Sequence, residues 1–386
     1  MHLLADWAHQ QLLLRQERLV RLSGRQDHTA MNLMKAYAII AVVCSHTGGG
    51  GVVFPMNNWA APGGYFMQLF VFVSGFFYKP QQDEAGYFPY LKNKIRTLVI
   101  PYFGWNLVYG VLNQLFRSLG VVSYGQDISL YSFFVKPWID GHQYYFIVPA
   151  WFLLSLFLVT AIHFTLRKLF RSAGPGKEWV LLMLTFLISM ASVRLSQLGF
   201  ISGWPRCFLR AGFLLPYYQL GVVYRKREDT FVKGKGPLVF VYMLLLLGIW
   251  LAAGKDGISI NVISAGYVGS PLLITGFSVV AILLSAAVSE ILTPAFARNR
   301  LLHAIGRNTY SIMMHHGFVI FCINFCLYLL RLPGFDTGQF RKVLWYTYSW
   351  EEPRLRILYL AACIAIPVLL KHIADALLLK IPLKKE

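Results

Sequence analysis

Apolar runs about twenty residues long follow one another along most of this chain, broken by short basic or Gly/Pro-rich segments. They fall at roughly 32–52, 63–79, 97–117, 147–167, 178–194, 207–224, 236–253, 268–290, 308–330 and 357–379. A run of this length spans the hydrocarbon core of a bilayer as a helix. A helix also satisfies its own backbone donors and acceptors where no water can. The pattern predicts an all-α, polytopic integral membrane protein with about ten transmembrane helices around a central polar cavity. Pro101, Pro216 and Pro271 lie near or inside predicted spans, where neighbouring helices tolerate them. Residues 1–30 form a separate basic segment. Arg15, Arg18, Arg21 and Arg25 share one helical face and Leu12, Leu13, Leu19 and Val20 the other, as in a helix lying on the cytoplasmic leaflet. A disordered basic tail fits the same residues. The rest of the chain, 31–386, is read as one transmembrane domain.

Composition agrees. The 386 residues are 56% hydrophobic and only 14% charged, with a mean hydropathy of +0.53. A soluble protein of this length would carry about a quarter charged residues. The net charge of +19 does not point to nucleic acid, because the cations sit between apolar runs rather than on one soluble face. With the N-terminus in the cytoplasm, well over half of the 36 basic residues fall in inner segments. That bias predicts a multi-pass inner (plasma) membrane protein with both termini cytoplasmic. Arg331, Arg341, Lys342, Arg354 and Arg356 break the rule by crowding the last outer loop. An anionic ligand would explain them, and so would the statistical nature of the rule. The outer loops 118–146 and 331–356 mix aromatic and polar side chains, which suits sugar rings and equally suits an aromatic belt at the interface. The five cysteines show neither metal spacing nor a disulfide framework, and no metal is expected.

The chemistry concentrates in two runs. Lys35 and His46 bracket the first, eleven residues apart. At about 3.6 residues per turn they share a helix face, separated by about 16 Å. His315 and His316 sit together inside the ninth run. Ionisable groups within spans are costly and usually functional, and an imidazole can take and return the proton of a hydroxyl. Other candidates have milder explanations. Ser74 could be a nucleophile, but Ser-Gly in a span more often permits close helix packing. His163 could meet a ligand at the inner end of the fourth span or simply be a packed side chain. His142 and Asp140 could bind an acceptor. The run Gly48–Gly51 after His46 is not a phosphate loop, since no Gly-Lys-Ser/Thr follows.

Read in order, these residues resemble membrane-bound acyltransferase family 3. Its first span carries Arg or Lys, ten residues and a His, here Lys35 to His46. Its second ends in an aromatic block with Ser-Gly-Phe, here LFVFVSGFF from Leu69 to Phe77. A basic segment then leads into a proline and the third span, here KNKIRTLVIPYFGW from Lys92 to Trp105. Trp151-Phe152-Leu153 opens a later span, and IGRNTYSIMMHH from Ile305 closes in a histidine whose register is His316. The blocks PAWFL (Pro149 to Leu153) and NTYSIM look most like the sugar O-acetylase branch. One departure is Asn93, where the family's basic segment has the first of two arginines. Lys92 and Lys94 keep the charge but not the forked geometry of Arg.

The resemblance implies a membrane O-acyltransferase that moves an acyl group, most often acetyl, from cytoplasmic acetyl-CoA to a carbohydrate hydroxyl. The acceptor would be a surface or lipid-linked glycan. It implies catalytic roles for His46, His316 and Lys35, with His46 as base or transient acyl carrier and His316 orienting His46 or binding the acceptor. Lys92, Lys94 and Arg96 would hold CoA. Ser74, Trp151, His142 and Asp140 would contact substrate. Membrane lipids are the other expected partners. Two rival readings use the same residues: a proton-coupled transporter or flippase of glycan precursors, and a non-catalytic subunit of a glycan assembly complex. The inverted repeats that many transporters show are not evident here.

Overall fold

The computed structural model describes residues 28–47, 64–226, 235–254, 257–350 and 352–380. The predicted amphipathic segment (apart from 28–30), Gly48–Gly51 and several cations that set the predicted orientation, including Arg15 to Arg25, Arg227 and Lys233, lie outside these residues.

A helix stands at the place of each of the ten apolar runs. Two open the fold: α1, Thr29–Thr47, and α2, Phe66–Phe76. The third run is one bent rod, α3, Tyr87–Lys94, passing through a π-turn at Ile95–Val99 into α4, Ile100–Ser118. A short α5, Lys136–Ile139, lies in the following loop. Next come α6, Trp151–Leu169; α7, Lys177–Gln197; α8, Trp204–Lys226; and α9, Lys235–Ala253. After α10, Pro271–Phe296, a short α11, Arg300–Arg307, turns into α12, Thr309–Leu329. The last two are α13, Thr337–Lys342, and α14, Arg356–Lys380.

The fold is mostly helical but not all-α. Between α9 and α10 the chain forms an antiparallel hairpin, β1, Ser259–Asn261, with β2, Gly266–Val268. Its tip, Val262–Ala265, holds Ala265 at φ 52°. These short polar strands carry too little pattern to be seen among long apolar runs.

Among the described residues, six helical stretches are long and apolar enough to cross a membrane by length and composition: Tyr145–Leu169, Lys177–Gln197, Gly236–Ala253, Pro271–Phe296, Thr309–Leu329 and Arg356–Ala376. The other helices are short, as α2 is, or carry polar side chains inward. Asn32 in α1, Asn106 and Asn113 in α4, and Arg210 and Gln219 in α8 are all nearly or fully buried. A helix sheathed by other helices need not be apolar all round, whereas α9, packed chiefly on α10, presents Phe240, Val241, Met243 and Leu244 outward.

α1 is the axis of the assembly, touching α2, α10, α11, α12 and α14. A second centre is α8, packed on α2, α6 and α7. The α2–α8 crossing is close because both helices place glycine in it. A Cβ on Gly75 would lie 1.9 Å from the Tyr218 carbonyl oxygen, and one on Gly221 would lie 2.1 Å from that of Phe72. The Ser-Gly-Phe block is thus a packing device at Gly75.

One end of the α6–α8 group is tied by buried charges. Arg167 donates to Asp83 through Nε (2.6 Å) and to Glu178 through Nη1 (2.9 Å). Lys226 also binds Glu178, and Lys177 stands 3.7 Å from Asp83. Burial would raise the Asp83 carboxyl, but hydrogen bonds from Arg167 and Tyr78 and the nearby cations bring it down to about 2. Several cations that read as an open basic face are therefore bound in a structural cluster.

Gly75→Ala is expected to force α2 from α8 and cost about 1–3 kcal/mol or more, read as a lowered unfolding temperature in detergent. Gly104→Ala, where a Cβ meets nothing within 4 Å, should leave it unchanged. Equal melting of both variants and wild type would contradict the close crossing.

Candidate active site

His46 occupies the last turn of α1, where helix carbonyls lack intrahelical partners. The carbonyl of Thr47 is taken by two hydroxyls from the segment after α13, Ser349 Oγ at 2.7 Å and Thr347 Oγ1 at 3.2 Å. That segment is itself anchored, since Asn324 of α12 donates to the Tyr346 carbonyl at 2.7 Å. The result seats Trp345 flat on His46, with ring centroids 4.0 Å apart and planes 12° from parallel.

On its other side His46 meets α12. His46 Nδ1 lies 2.9 Å from His316 Nε2, and His316 Nδ1 lies 2.8 Å from the Ile312 carbonyl oxygen. A carbonyl only accepts, so His316 Nδ1 carries the hydrogen. In a neutral ring His316 Nε2 is then the acceptor, and His46 must donate from Nδ1. The bare nitrogen of His46 is Nε2, the atom able to accept a proton. His316 is completely buried. His315, one residue and about 100° round the helix, faces α4 instead. Its Nδ1 is 2.6 Å from Tyr109 Oη, and Trp105 meets it edge-on at 4.5 Å.

Where one central polar cavity is expected, the described residues line two, at different levels of α1. The first, about 350 Å³, includes His46, Trp345, His142, Trp151 and the hairpin residues Ser259 to Ile263 in its lining. The second, about 230 Å³, includes Lys35, Ser74, Leu98, Thr309 and Tyr310. Ile39, Phe70 and Met313 line both. These three side chains, from α1, α2 and α12, are the partition between them. The Tyr310 hydroxyl on the Lys35 side is buried with no partner among the described residues. A third groove of about 480 Å³ at the C-terminal end of α12, beside Arg331 and Phe335, shares no residue with either.

The sequence candidates divide accordingly. His46, Trp151 and His142 line one cavity and Lys35 and Ser74 the other. Ser74 Oγ donates to the Phe70 carbonyl, a bond within its own helix. Asp140 is outside the cavity lining, where its carboxylate accepts from the His142 amide and pairs loosely with Lys136. Lys92, Lys94 and Arg96 do not line the Lys35 cavity, although Leu98 of the same segment does. Lys92 and Arg96 are exposed, and Lys94 sits 5.4 Å from the Tyr90 ring centre. His163 is buried and bonded to Gln219 at 2.7 Å, in the charge cluster. Trp345, Asn261 and the three partition residues are missing from the sequence candidates. Trp345 read as an interfacial aromatic, and only its stacking on His46 sets it apart.

Apolar helices enclose an oriented histidine pair, one ring of which lines a cavity, and this is the arrangement of a multi-pass membrane protein. The chain belongs to acyltransferase family 3, whose acyltransferase domain matches residues 28–372, nearly its whole length. No curated protein and no solved structure matches the chain.

The tautomers are directly measurable. Nitrogen-15 NMR of histidine-labelled protein in nanodiscs at neutral pH is expected to show His46 protonated at Nδ1 and bare at Nε2. His316→Ala should abolish that preference. A bare Nδ1 on His46 in the intact protein would overturn the arrangement.

Proposed function

We propose that this protein is a membrane O-acyltransferase that carries an acyl group, by preference acetyl, from cytoplasmic acyl-CoA to a carbohydrate hydroxyl on the far side of the membrane. Family membership supports acyl transfer as the reaction class. The observation that carries the finer reading is the bare Nε2 of His46 in a cavity that shares Ile39, Phe70 and Met313 with one lined by Lys35.

In this reading all ten helices cross the inner (plasma) membrane and both termini are cytoplasmic, so the Lys35 cavity opens inward and the His46 cavity outward. The exposed segment bearing Lys92, Lys94 and Arg96 attracts the CoA phosphates, and Lys35 with the Tyr310 hydroxyl meets the arm that carries the thioester. The acyl end passes the partition to His46. A glycan hydroxyl, held from the outer side, gives its proton to His46 Nε2 as its oxygen attacks the thioester carbonyl. The carbon–sulfur bond breaks, the CoA thiolate takes up the proton, and an O-acyl ester and free CoA result. The charge arising on His46 is spread through Nδ1–H to His316 and over the Trp345 face. His316 acts as a positioning residue, holding the tautomer.

Two cavities with a partition also suit the rival reading, a proton-coupled transporter of glycan precursors. Release of CoA separates the two, since transport does not require it. Purified protein given acetyl-CoA and the surface glycan is expected to release CoA. His46→Ala should lower turnover about 10²–10⁴-fold with its melting unchanged, and Met313→Trp, which plugs the partition, should abolish it. A His46→Ala protein with wild-type turnover would refute the proposal.

A further inference from the structure

We propose that the His46 cavity receives one uncharged, hydroxyl-bearing ring of the acceptor, and that the β1–β2 hairpin selects it. This rests on the acyl-transfer reading and names the substrate class of that site.

The cavity lining carries no fixed charge among the described residues, with no Asp, Glu, Lys or Arg. The stretch leading out of His46, residues 48–63, contains none either. A carboxylate or phosphate on the bound ring would give up its hydration with no cation to replace it, a loss that binding sites avoid. This is notable in a chain with 36 basic residues against 17 acidic.

The remaining lining combines aromatic faces with neutral polar groups. Trp345 and Trp151 supply flat apolar faces. Neutral polar groups stand among them: Ser45, His142, Ser259 and Asn261. His142 Nδ1 donates to the Asp140 carbonyl at 2.8 Å, which leaves Nε2 as an acceptor in the neutral ring. Asn261 Oδ1 accepts from the Ser264 amide at 3.2 Å, which leaves its NH₂ to donate. Aromatic faces with separate neutral donors and acceptors match a ring that bears hydroxyls.

The hairpin is held from behind by a buried guanidinium. Arg210 of α8 is 1% exposed. Its Nη1 donates to the Ile263 carbonyl at 3.2 Å and its Nη2 to the Trp138 carbonyl, with its guanidinium 5.3 Å from the Trp151 ring centre. This buried cation thus joins hairpin, α5 and Trp151, and is a positioning residue behind the wall.

The test locates the ester. Surface glycans from cells carrying the wild-type gene or His46→Ala are fragmented by tandem mass spectrometry. The expected result is a His46-dependent acyl ester on an uncharged sugar. An ester on a uronate, a sialate or a phosphorylated sugar overturns this inference and leaves acyl transfer standing. Absence of any His46-dependent ester defeats the acyl-transfer reading itself. For the hairpin, Asn261→Ala with Ser259→Ala is assayed on de-esterified glycan from the same cells. The acceptor KM should rise about tenfold, and a wild-type KM overturns the role given to the hairpin.

Discussion

A single backbone carbonyl fixes the tautomers of the histidine pair. Ile312, one turn before His316, accepts from His316 Nδ1 and so decides which nitrogen of His316 is bare. That decides which nitrogen of His46 carries hydrogen, and leaves Nε2 of His46 bare. The chain of dependence runs from backbone to His316 to His46, in a region where buried polar groups need partners. It holds only because α1 and α12 stay in register. That register is supported at one end by the segment after α13, whose hydroxyls bind the Thr47 carbonyl and which Asn324 of α12 holds. At the other, Gly306 of α11, the helix that leads into α12, lies against α1 so closely that a Cβ there would be 2.3 Å from the Asn32 carbonyl oxygen.

The division of labour follows from which helices are enclosed. α9 and α14 expose most of their length and are apolar, as lipid contact requires. α1 and α8 are sheathed, and α4 turns one face inward while Leu107, Val108 and Val111 stay exposed, so each can bury polar side chains. The charge cluster around Arg167 closes one end of the helix group and Arg210 ties the hairpin near the other, so both hold structure away from the histidine pair. Between them lies a partition of three apolar side chains from three helices, thin enough to line a cavity on each face.

Much of this could be read from residue order alone, for identifiable reasons. A twenty-residue apolar run admits few conformations in a bilayer, and a helix stands where each run predicted one. Lys35 and His46 share a face because the 3.6-residue period puts them there. The choice of His316 over its neighbour came from the register of the family motif, and His316 is the one that meets His46. What could not be read depends on contacts distant in sequence. Trp345 reaches His46 from 299 positions away through hydroxyl bonds on a helix end, and no local pattern encodes that. The hairpin is too short to show periodicity. Counting cations cannot reveal that Arg167, Lys177 and Lys226 are already paired with acids. Asp140 looked like a ligand and turns out to brace the loop that carries His142.

In the proposed mechanism donor and acceptor meet at His46 from cavities on opposite sides of one partition. The most direct measurement is a cryo-electron microscopy map of the protein in nanodiscs with a CoA thioether that mimics acetyl-CoA but cannot transfer. The account predicts density entering beside Lys35, passing Ile39, Phe70 and Met313, and ending within hydrogen-bond reach of His46 Nε2. Density for the CoA arm confined to another groove, with the partition closed and His46 untouched, would contradict it.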